Sequence, residues 1–302
     1  MSWLLLSFLG PILWAASTHL DKYLVERYFK TSNVGTLLIL TACISALALP
    51  IIWSLSRTVV DIDAASAACL VTAGALYMAA MLFYLRALQI EDASLVAVFF
   101  QAGPLFGYAL GYFILDEHLS HSQMAGGLLT ICGVAVASLN TRSAGRKFNA
   151  RLVVLMLACS LVASISSLLF KVVAIHEAFW PSTFWTYAGE ALFGLFLLSF
   201  RSDRQQFLRL VKSSPGFVIS INALNELINL IGSLAMRYAL VLAPLSLVQA
   251  ISSTTTLFVF AFAVILSVFH LTAAQERLDR RELIQKGCAA MLVAAGVALI
   301  GR

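Results

Sequence analysis

Charge and long polar stretches are what this 302-residue sequence has least of. Only 12% of its residues are charged and 61% are hydrophobic, and its mean hydropathy is +0.91. Soluble domains carry about 25% charged residues, and here no polar segment exceeds about 15 residues, so a soluble domain is excluded. A cleaved signal peptide is not expected either, because no charged region precedes the first apolar run and no A-x-A site follows it.

Motifs for catalysis, nucleotide binding and metal binding are also missing. Without a Walker A sequence, ATP is not expected to drive the protein. G-x-S-x-G, H-E-x-x-H and paired intramembrane aspartates are absent, so an enzyme is not predicted. The five cysteines form no C-x-x-C pair, which excludes a disulfide framework and a zinc site. We therefore predict no cofactor and no metal. The net charge of +5 points to a membrane surface and not to nucleic acid.

The sequence does contain apolar runs of about 18 to 25 residues, the length that crosses about 30 Å of hydrocarbon as a helix. Alternating β-barrel patterning is absent, so an all-α integral membrane protein is predicted. The ten candidate transmembrane spans are approximately 3–20, 34–55, 65–87, 93–115, 122–139, 152–173, 182–200, 216–238, 243–269 and 284–301.

An internal repeat divides these ten spans. The pattern Ala87-Leu88 with Ser94-Leu95-Val96 recurs about 152 positions later as Ala239-Leu240 with Ser246-Leu247-Val248. At the same offset, His118-Leu119-Ser120 recurs as His270-Leu271-Thr272. We predict a first five-helix repeat over 1–140, a polar linker over 141–151 and a second repeat over 152–302. Because five is odd, the second half enters the membrane from the opposite side, which gives the inverted repeat typical of transporters.

Basic residues predict the orientation. Fifteen of the twenty Lys and Arg residues lie in the loops after spans one, five, seven and nine. Cytoplasmic loops collect positive charge, so this pattern places both termini outside. The segment 201–214 is predicted to be an interfacial helix, with Phe207, Leu208, Leu210 and Val211 against lipid. We expect a multi-pass protein of the plasma membrane, such as a bacterial inner membrane, in contact with membrane lipids.

Two stretches resemble the drug/metabolite transporter superfamily, in particular its EamA branch: Trp14-Ala-Ala-Ser-x-x-x-x-Lys22, and Arg86-Ala-Leu followed by Asp116-Glu-His-Leu-Ser. The resemblance implies ten spans in two inverted halves. It also implies alternating access through a central cavity lined by spans one, three, four, six, eight and nine. The second copy of the corner reads Val268-Phe-His-Leu-Thr and lacks the acid. Family members are also expected to keep both termini in the cytoplasm, against the charge pattern.

The strongest candidate site is a polar stripe in span eight. Asn222, Asn225, Glu226 and Asn229 fall at i, i+3, i+4 and i+7, which places them on one helical face. Unpaired amides cannot face lipid, and an ionisable group inside a membrane is a functional hypothesis by default. We predict that the stripe lines a cavity and that Glu226 recognises an amine or hydroxyls or carries a coupling proton. The alternative is a hydrogen-bond network that holds helices together.

Further candidates lie in other spans. Glu190 in span seven is predicted to serve in gating, coupling or substrate contact, and a pair with Lys171 is one option. Lys171 is the second gating candidate, with snorkelling to the interface as the alternative. The remaining predicted cavity-lining residues are Trp14, Ser17, Gln101, Gln249 and Ser253. Most hydroxyls of span nine are expected to bond back to their own helix.

Gly103, Gly107 and Gly111 form a small-residue stripe, predicted to pack within the bundle or to form a homodimer seam. The leading function is a secondary transporter of a small polar or amphipathic metabolite, amino-acid-like or drug-like, with proton coupling as an option. A second reading is a flippase for a lipid-linked sugar or phospholipid. A third, from another class, is a membrane receptor or scaffold that transports nothing.

Overall fold

The computed structural model describes residues 3–24, 34–90, 96, 102–138, 150–213, 216–268 and 280–300. Within these ranges the ordered elements are helices, with one short 3₁₀ turn at Arg57–Val60. The helices are α1 (Trp3–Leu24), α2 (Gly35–Leu55), α3 (Ala64–Ile90), α4 (Ala102–Leu115), α5 (His121–Ser138), α6 (Ala150–Ala174), α7 (Phe179–Ser199), α8 (Arg201–Ser213), α9 (Gly216–Leu242), α10 (Leu245–Ser252), α11 (Thr255–Val268) and α12 (Arg280–Ile300).

This architecture confirms an all-α membrane protein. Four of the described helices, α1, α2, α3 and α6, are long and apolar enough to cross a membrane. Each predicted apolar segment also contains a helix, although the first part of predicted span four, including Gln101, lies outside the described residues. Most of the predicted linker 141–151 lies outside them too. The ten-span count and the inverted repeat remain predictions.

Predicted span nine is not one continuous helix. It is divided into α10 and α11 by a turn at Ser253 and Thr254. The Ser253 hydroxyl donates to the Ala250 carbonyl over 2.6 Å, and that of Thr254 donates to the Ile251 carbonyl over 2.6 Å. These hydroxyls therefore bond to their own helix, as the sequence suggested for this run. They lie where α10 ends.

Helix pairs that are distant in sequence hold the bundle together. The most extensive pairings are α5 with α12, α3 with α6, α1 with α9, and both α2 and α3 with α7. Lipid offers apolar side chains as good an environment as protein does, so close packing must supply much of the association. Small residues permit it: the Cα atoms of Gly126 on α5 and Gly296 on α12 each face the other helix's backbone.

The crossing of α3 and α7 depends on two glycines. A Cβ atom at Gly74 would overlap the Thr186 carbonyl oxygen, and one at Gly189 would overlap the Val71 carbonyl oxygen. Both obstacles are backbone atoms, which cannot rotate away as a side chain does. These two glycines let α3 and α7 approach closely at the middle of α7.

We expect Gly74→Ala to separate α3 from α7 and to destabilise the protein by about 1–3 kcal/mol, the usual range for overpacking. Gly127→Ala is the matched control, because a Cβ atom at Gly127 would meet nothing within 4 Å. Thermal unfolding in detergent measures both variants. Equal stability of the two would show that the close crossing is not required.

Helix α8 carries the predicted amphipathic pattern, but its apolar residues divide between two environments. Phe207 and Leu210 pack against the core cluster that includes Leu38 and Leu197, so the prediction that they face lipid is wrong. Leu208 and Val211 are exposed, at 46% and 47%, as expected for lipid-facing residues. The helix is therefore fixed to the bundle by one apolar row and presents the other outward.

Asp203 fixes the first turn of α8. Its side chain is buried and lies over Gly35 at the start of α2, where a Cβ atom would overlap its carboxylate. Burial raises the pKa of Asp203, and the positive charge of Arg86 opposes that rise. A carboxylate at a helix N-terminus is favoured by the helix dipole. The contact with Gly35 connects the first turn of α8 to the start of α2.

Candidate functional site

The polar stripe of α9 faces the protein interior. Asn222, Asn225 and Glu226 are 4%, 0% and 6% exposed. On the opposite face, Leu224 and Leu227 are 53% and 50% exposed. The helix therefore turns its polar side inward and its leucines outward, the arrangement that the spacing in the sequence requires.

Glu226 is held by neutral groups. The Thr41 hydroxyl on α2 donates to Glu226 Oε1 over 2.7 Å, and Asn229 hydrogen-bonds to the same side chain. Among the residues that the structure describes, no Lys or Arg forms a salt bridge with Glu226. Its carboxyl group is thus buried in the bundle without a positive partner.

A cavity, here called the acidic cavity, separates α2, α3, α7 and α9 at this level. It contains about 290 Å³ of space not occupied by atoms, part of it open to the surroundings. Its lining comprises two carboxyl groups, two phenols, four small polar side chains and two apolar ones: Glu190, Glu226, Tyr77, Tyr187, Thr41, Ser45, Asn229, Ser233, Ile44 and Leu230.

The second carboxyl group of the cavity, Glu190, is fully paired. Arg237 of α9 donates from Nη2 to Glu190 Oε1 over 2.5 Å, and the Ser45 hydroxyl donates to Oε2 over 2.6 Å. The Arg237 guanidinium also lies 4.4 Å from the Tyr187 ring centroid, a distance typical of a cation–π contact. Glu190 and Arg237 together form a neutral ion pair inside the bundle.

This pair corrects one expectation from the sequence. The option that Glu190 pairs with Lys171 is wrong, because each has another partner. Arg237 is 8% exposed and lies within α9. It lies eleven residues after Glu226, so steps of three and four residues through Asn229 and Ser233 connect the two positions along one helical face.

A second polar network joins α1 to the stripe. The Ser17 hydroxyl donates to Asn225 Oδ1 over 2.7 Å, and Asn225 Nδ2 donates to Asp21 Oδ1 over 2.7 Å. The Asp21 carboxylate, near the end of α1, therefore bonds to a fully buried amide. Ser17 thus contacts the stripe as a hydrogen-bond partner and does not line the acidic cavity.

Lys171 takes part in a separate contact at one end of the bundle. Its Nζ atom forms a salt bridge with Glu117 over 2.5 Å and donates to the Ala243 carbonyl. Glu117 Oε2 also accepts a hydrogen bond from the Leu245 N–H, the first residue of α10, over 2.8 Å. Lys171 is 6% exposed, so the alternative that it snorkels to the interface is wrong.

The conformation of the α4–α5 turn directs Glu117 into this contact. Asp116 has a φ of 54°, a left-handed conformation that Asp adopts more readily than most residues. Glu117 then lies over Gly111, where a Cβ atom would clash with its carboxylate. Glu117 and Lys171 therefore connect three corners: the α4–α5 turn, the end of α6, and the α9–α10 turn. We call this set the Glu117–Lys171 clasp.

We expect Glu117→Gln to destabilise the protein by about 3–5 kcal/mol, because it leaves Lys171 buried without a counter-ion. Asp116→Asn is the matched control: Asp116 is exposed and pairs with His118, so its loss costs about 1 kcal/mol or less. Thermal unfolding in detergent compares them. If Glu117→Gln lost no more stability than the control, the clasp would not stabilise the protein.

Comparison with known protein families finds one similarity in the sequence. The sequence model of the EamA-like transporter family matches residues 1–139. This part of the chain is similar to the EamA-like transporter family. The resemblance found in the sequence is thereby confirmed. By its description, the matching family consists of transporters.

Solved structures share the fold of this chain. Twenty-eight chains match it. One, titled "Crystal structure of protein", has a TM-score of 0.66 at 17% sequence identity and covers 99% of this chain and 95% of its own. At that identity the likeness shows the fold alone. No protein of curated function matches the chain.

The acidic cavity differs from the cavity that the EamA resemblance implied. The implied lining came from spans one, three, four, six, eight and nine, whereas α2, α3, α7 and α9 line the acidic cavity. Helix α1, in span one, packs along α9, and α6, in span six, packs along α3. The acidic cavity therefore lies on the other faces of α9 and α3. Much of predicted span four lies outside the described residues.

The remaining candidate residues lie apart from this cavity. Gln249 accepts a hydrogen bond from the Ser164 hydroxyl over 3.2 Å and packs over Gly107. Ser253 bonds to its own helix, as described above. The Trp14 indole lies beside Gly232, and its Nε1–H is buried with no partner among the described residues. These three side chains occupy the bundle but not the wall of the acidic cavity.

The glycine stripe of α4 packs within one chain. Gly107 and Gly111 are buried, and Cβ atoms there would overlap Gln249 and Glu117. Gly103 contributes its carbonyl as an acceptor for the Ser164 hydroxyl over 3.3 Å. The first of the two predicted explanations therefore accounts for the stripe, and the homodimer seam stays an untested prediction.

Proposed function

We propose that this protein is a secondary transporter that moves a small polar or amphipathic metabolite through the acidic cavity by alternating access. The observation that carries the proposal is the burial of Glu226 with only neutral partners in a cavity otherwise rich in hydroxyl and phenol groups. Burying an unpaired charge is costly. A protein that merely needed its helices to adhere would gain as much from neutral groups.

The helix pairings support two halves related by an inverted repeat. If each span of the first half corresponds to the span five places later, the contact of α3 with α6 corresponds to that of α9 with α1. Both contacts are among the most extensive in the bundle. Three further pairs are each unchanged by this exchange of halves: α2 with α7, α5 with α12, and α4 with α10. All three contacts are present.

One pair breaks this correspondence and supports alternating access. The tight crossing of α3 with α7 corresponds to a contact of α9 with α2, yet α9 and α2 touch far less. The bundle is thus more closed where α3 meets α7 and more open where α2 meets α9. If the α3–α7 crossing opened while the α2–α9 contact closed, the cavity would be exposed alternately to the two sides of the membrane.

Proton coupling through Glu226 is part of the proposal. A buried carboxyl group without a positive partner is cheaper to hold in its neutral form. Thr41 and Asn229 offer hydrogen bonds to either form of the group. Binding of a substrate near Glu226 would then be linked to release of a proton, which is the exchange that an antiporter needs.

The experiment is solute flux into proteoliposomes, with amino acids, polyamines, sugars and fluorescent lipids, each with and without a pH gradient. The proposal predicts saturable, protein-dependent flux of one class of soluble compound. Movement of lipid alone would favour the flippase, and binding without flux would favour the receptor or scaffold. Either result would overturn the proposal.

A further inference from the structure

We infer that the acidic cavity selects a small organic amine in its positively charged form. The inference rests on the proposed transport function and specifies its substrate class. It follows from the balance of charge in the cavity, from one buried phenol that has no partner, and from the position of the only arginine nearby among the described residues.

The charges of the cavity do not balance. Glu190 is matched by Arg237, whereas Glu226 is bonded to Thr41 and Asn229 alone. The carboxylate of Asp21, which Asn225 contacts, also acts electrostatically on Glu226. The part of the chain that the structure describes therefore leaves two carboxyl groups along α9 without a basic side chain. A cationic occupant supplies the missing charge, whereas an anionic occupant increases the imbalance.

A second observation points to a ligand independently of the acids. The Tyr187 hydroxyl lines the cavity, its side chain is 2% exposed, and its oxygen has no hydrogen-bond partner among the described residues. Buried hydroxyls are nearly always satisfied. An ammonium group, with several N–H donors, bonds to the Glu226 carboxylate and to the Tyr187 oxygen together. Tyr77 adds an aromatic ring on the wall, and ring faces attract cations.

The arrangement also disfavours a free carboxylate on the substrate. Arg237 contacts two residues of the cavity wall, but its Nη2 atom is committed to Glu190 and its guanidinium is covered by the Tyr187 ring. Arg237 is absent from the cavity lining, although its Nη1 atom lacks a partner. A substrate carboxylate would face Glu226 and Glu190 before it reached that atom.

A matched four-carbon series tests the inference: putrescine, butylamine, 4-aminobutyrate and butyrate. Thermal stabilisation of the purified protein in detergent reports binding of each compound. We expect the two amines to bind at least about 10-fold more tightly than 4-aminobutyrate and butyrate, because Glu226 and Glu190 repel a substrate carboxylate and butyrate also lacks the ammonium group. Equal binding across the series, preference for butyrate, or no binding of the amines would overturn the inference.

Two variants show whether binding occurs at the proposed groups. Glu226→Gln should weaken amine binding about 10- to 100-fold, and Glu226→Asp, which keeps the charge, should retain the preference for amines. Tyr187→Phe should weaken it about 2- to 10-fold and leave the unliganded protein as stable as wild type, because the hydroxyl has no partner to lose. Unchanged amine binding in Glu226→Gln and Tyr187→Phe would contradict the site.

The flux assay separates failure of this inference from failure of the proposed function. Saturable flux of sugars or anions that amines do not inhibit would leave a transporter whose substrate class is not an amine. Absence of flux for every soluble compound would overturn the transport function itself. Flux that amines compete for, and that is lost in Glu226→Gln, agrees with both proposals.

Discussion

Arg237→Met is expected to destabilise the protein by about 3–5 kcal/mol, because it leaves the Glu190 carboxylate buried without its counter-ion. Glu190 is 2% exposed and Arg237 is 8% exposed, so water cannot readily replace the lost partner. The change also removes the contact between the guanidinium and the Tyr187 ring. Thermal unfolding in detergent measures the effect.

The double variant distinguishes a lost charge pair from lost packing. Glu190→Gln combined with Arg237→Met removes both charges and keeps an acceptor for the Ser45 hydroxyl, so most of the lost stability should return. Arg57→Met is the control for general effects, since Arg57 is exposed in the 3₁₀ turn. If the double variant were as unstable as the single one, packing and not charge would explain the loss.

Glu226→Gln is expected to reduce transport at least about 10-fold and to abolish its dependence on a pH gradient. The amide keeps the size of the side chain and accepts the Thr41 hydrogen bond, but it holds no negative charge and releases no proton. The loss of a hydrogen bond to a charged group costs about 1.5–3 kcal/mol. Flux in proteoliposomes, with and without the gradient, measures both effects.

Two controls accompany that variant. Glu177→Gln changes a carboxyl group in the turn between α6 and α7, away from the cavity, and should transport as wild type. Thermal unfolding of Glu226→Gln should also be close to that of wild type. Unchanged flux with an intact pH response would favour the alternative, in which the polar stripe of α9 only holds helices together by hydrogen bonds.

The inward orientation of the stripe follows from its residues because helical periodicity is local. The spacing of Asn222, Asn225, Glu226 and Asn229 required one polar face, and the structure places that face inside the bundle. The helix bounds of most predicted spans follow for a similar reason, since the length of an apolar run sets the length of the helix. The all-α membrane fold and the similarity to a transporter family were likewise predictable.

The partners across the bundle were not predictable, because they depend on tertiary packing. Glu190 has Arg237 as its partner, 47 positions away, and no local pattern selects that residue over Lys171. The hydroxyl groups of Thr41 and Ser45 gave no signal either, since Ser and Thr in apolar helices usually bond to their own backbone. A clue was present in Arg237 itself, which lies inside the predicted span 216–238 on the Glu226 face.

Aqueous accessibility of the α9 stripe shows whether this helix face lines a water-filled path. In a variant without the five native cysteines, Asn229→Cys and Leu227→Cys would be treated with a membrane-impermeant maleimide in sealed proteoliposomes. A thiol must ionise to react, and lipid prevents this. We expect the thiol at position 229 to react at least about 10-fold faster than the thiol at position 227. Equal rates, or reaction at 227 alone, would contradict the claim that this face of α9 lines a water-filled path.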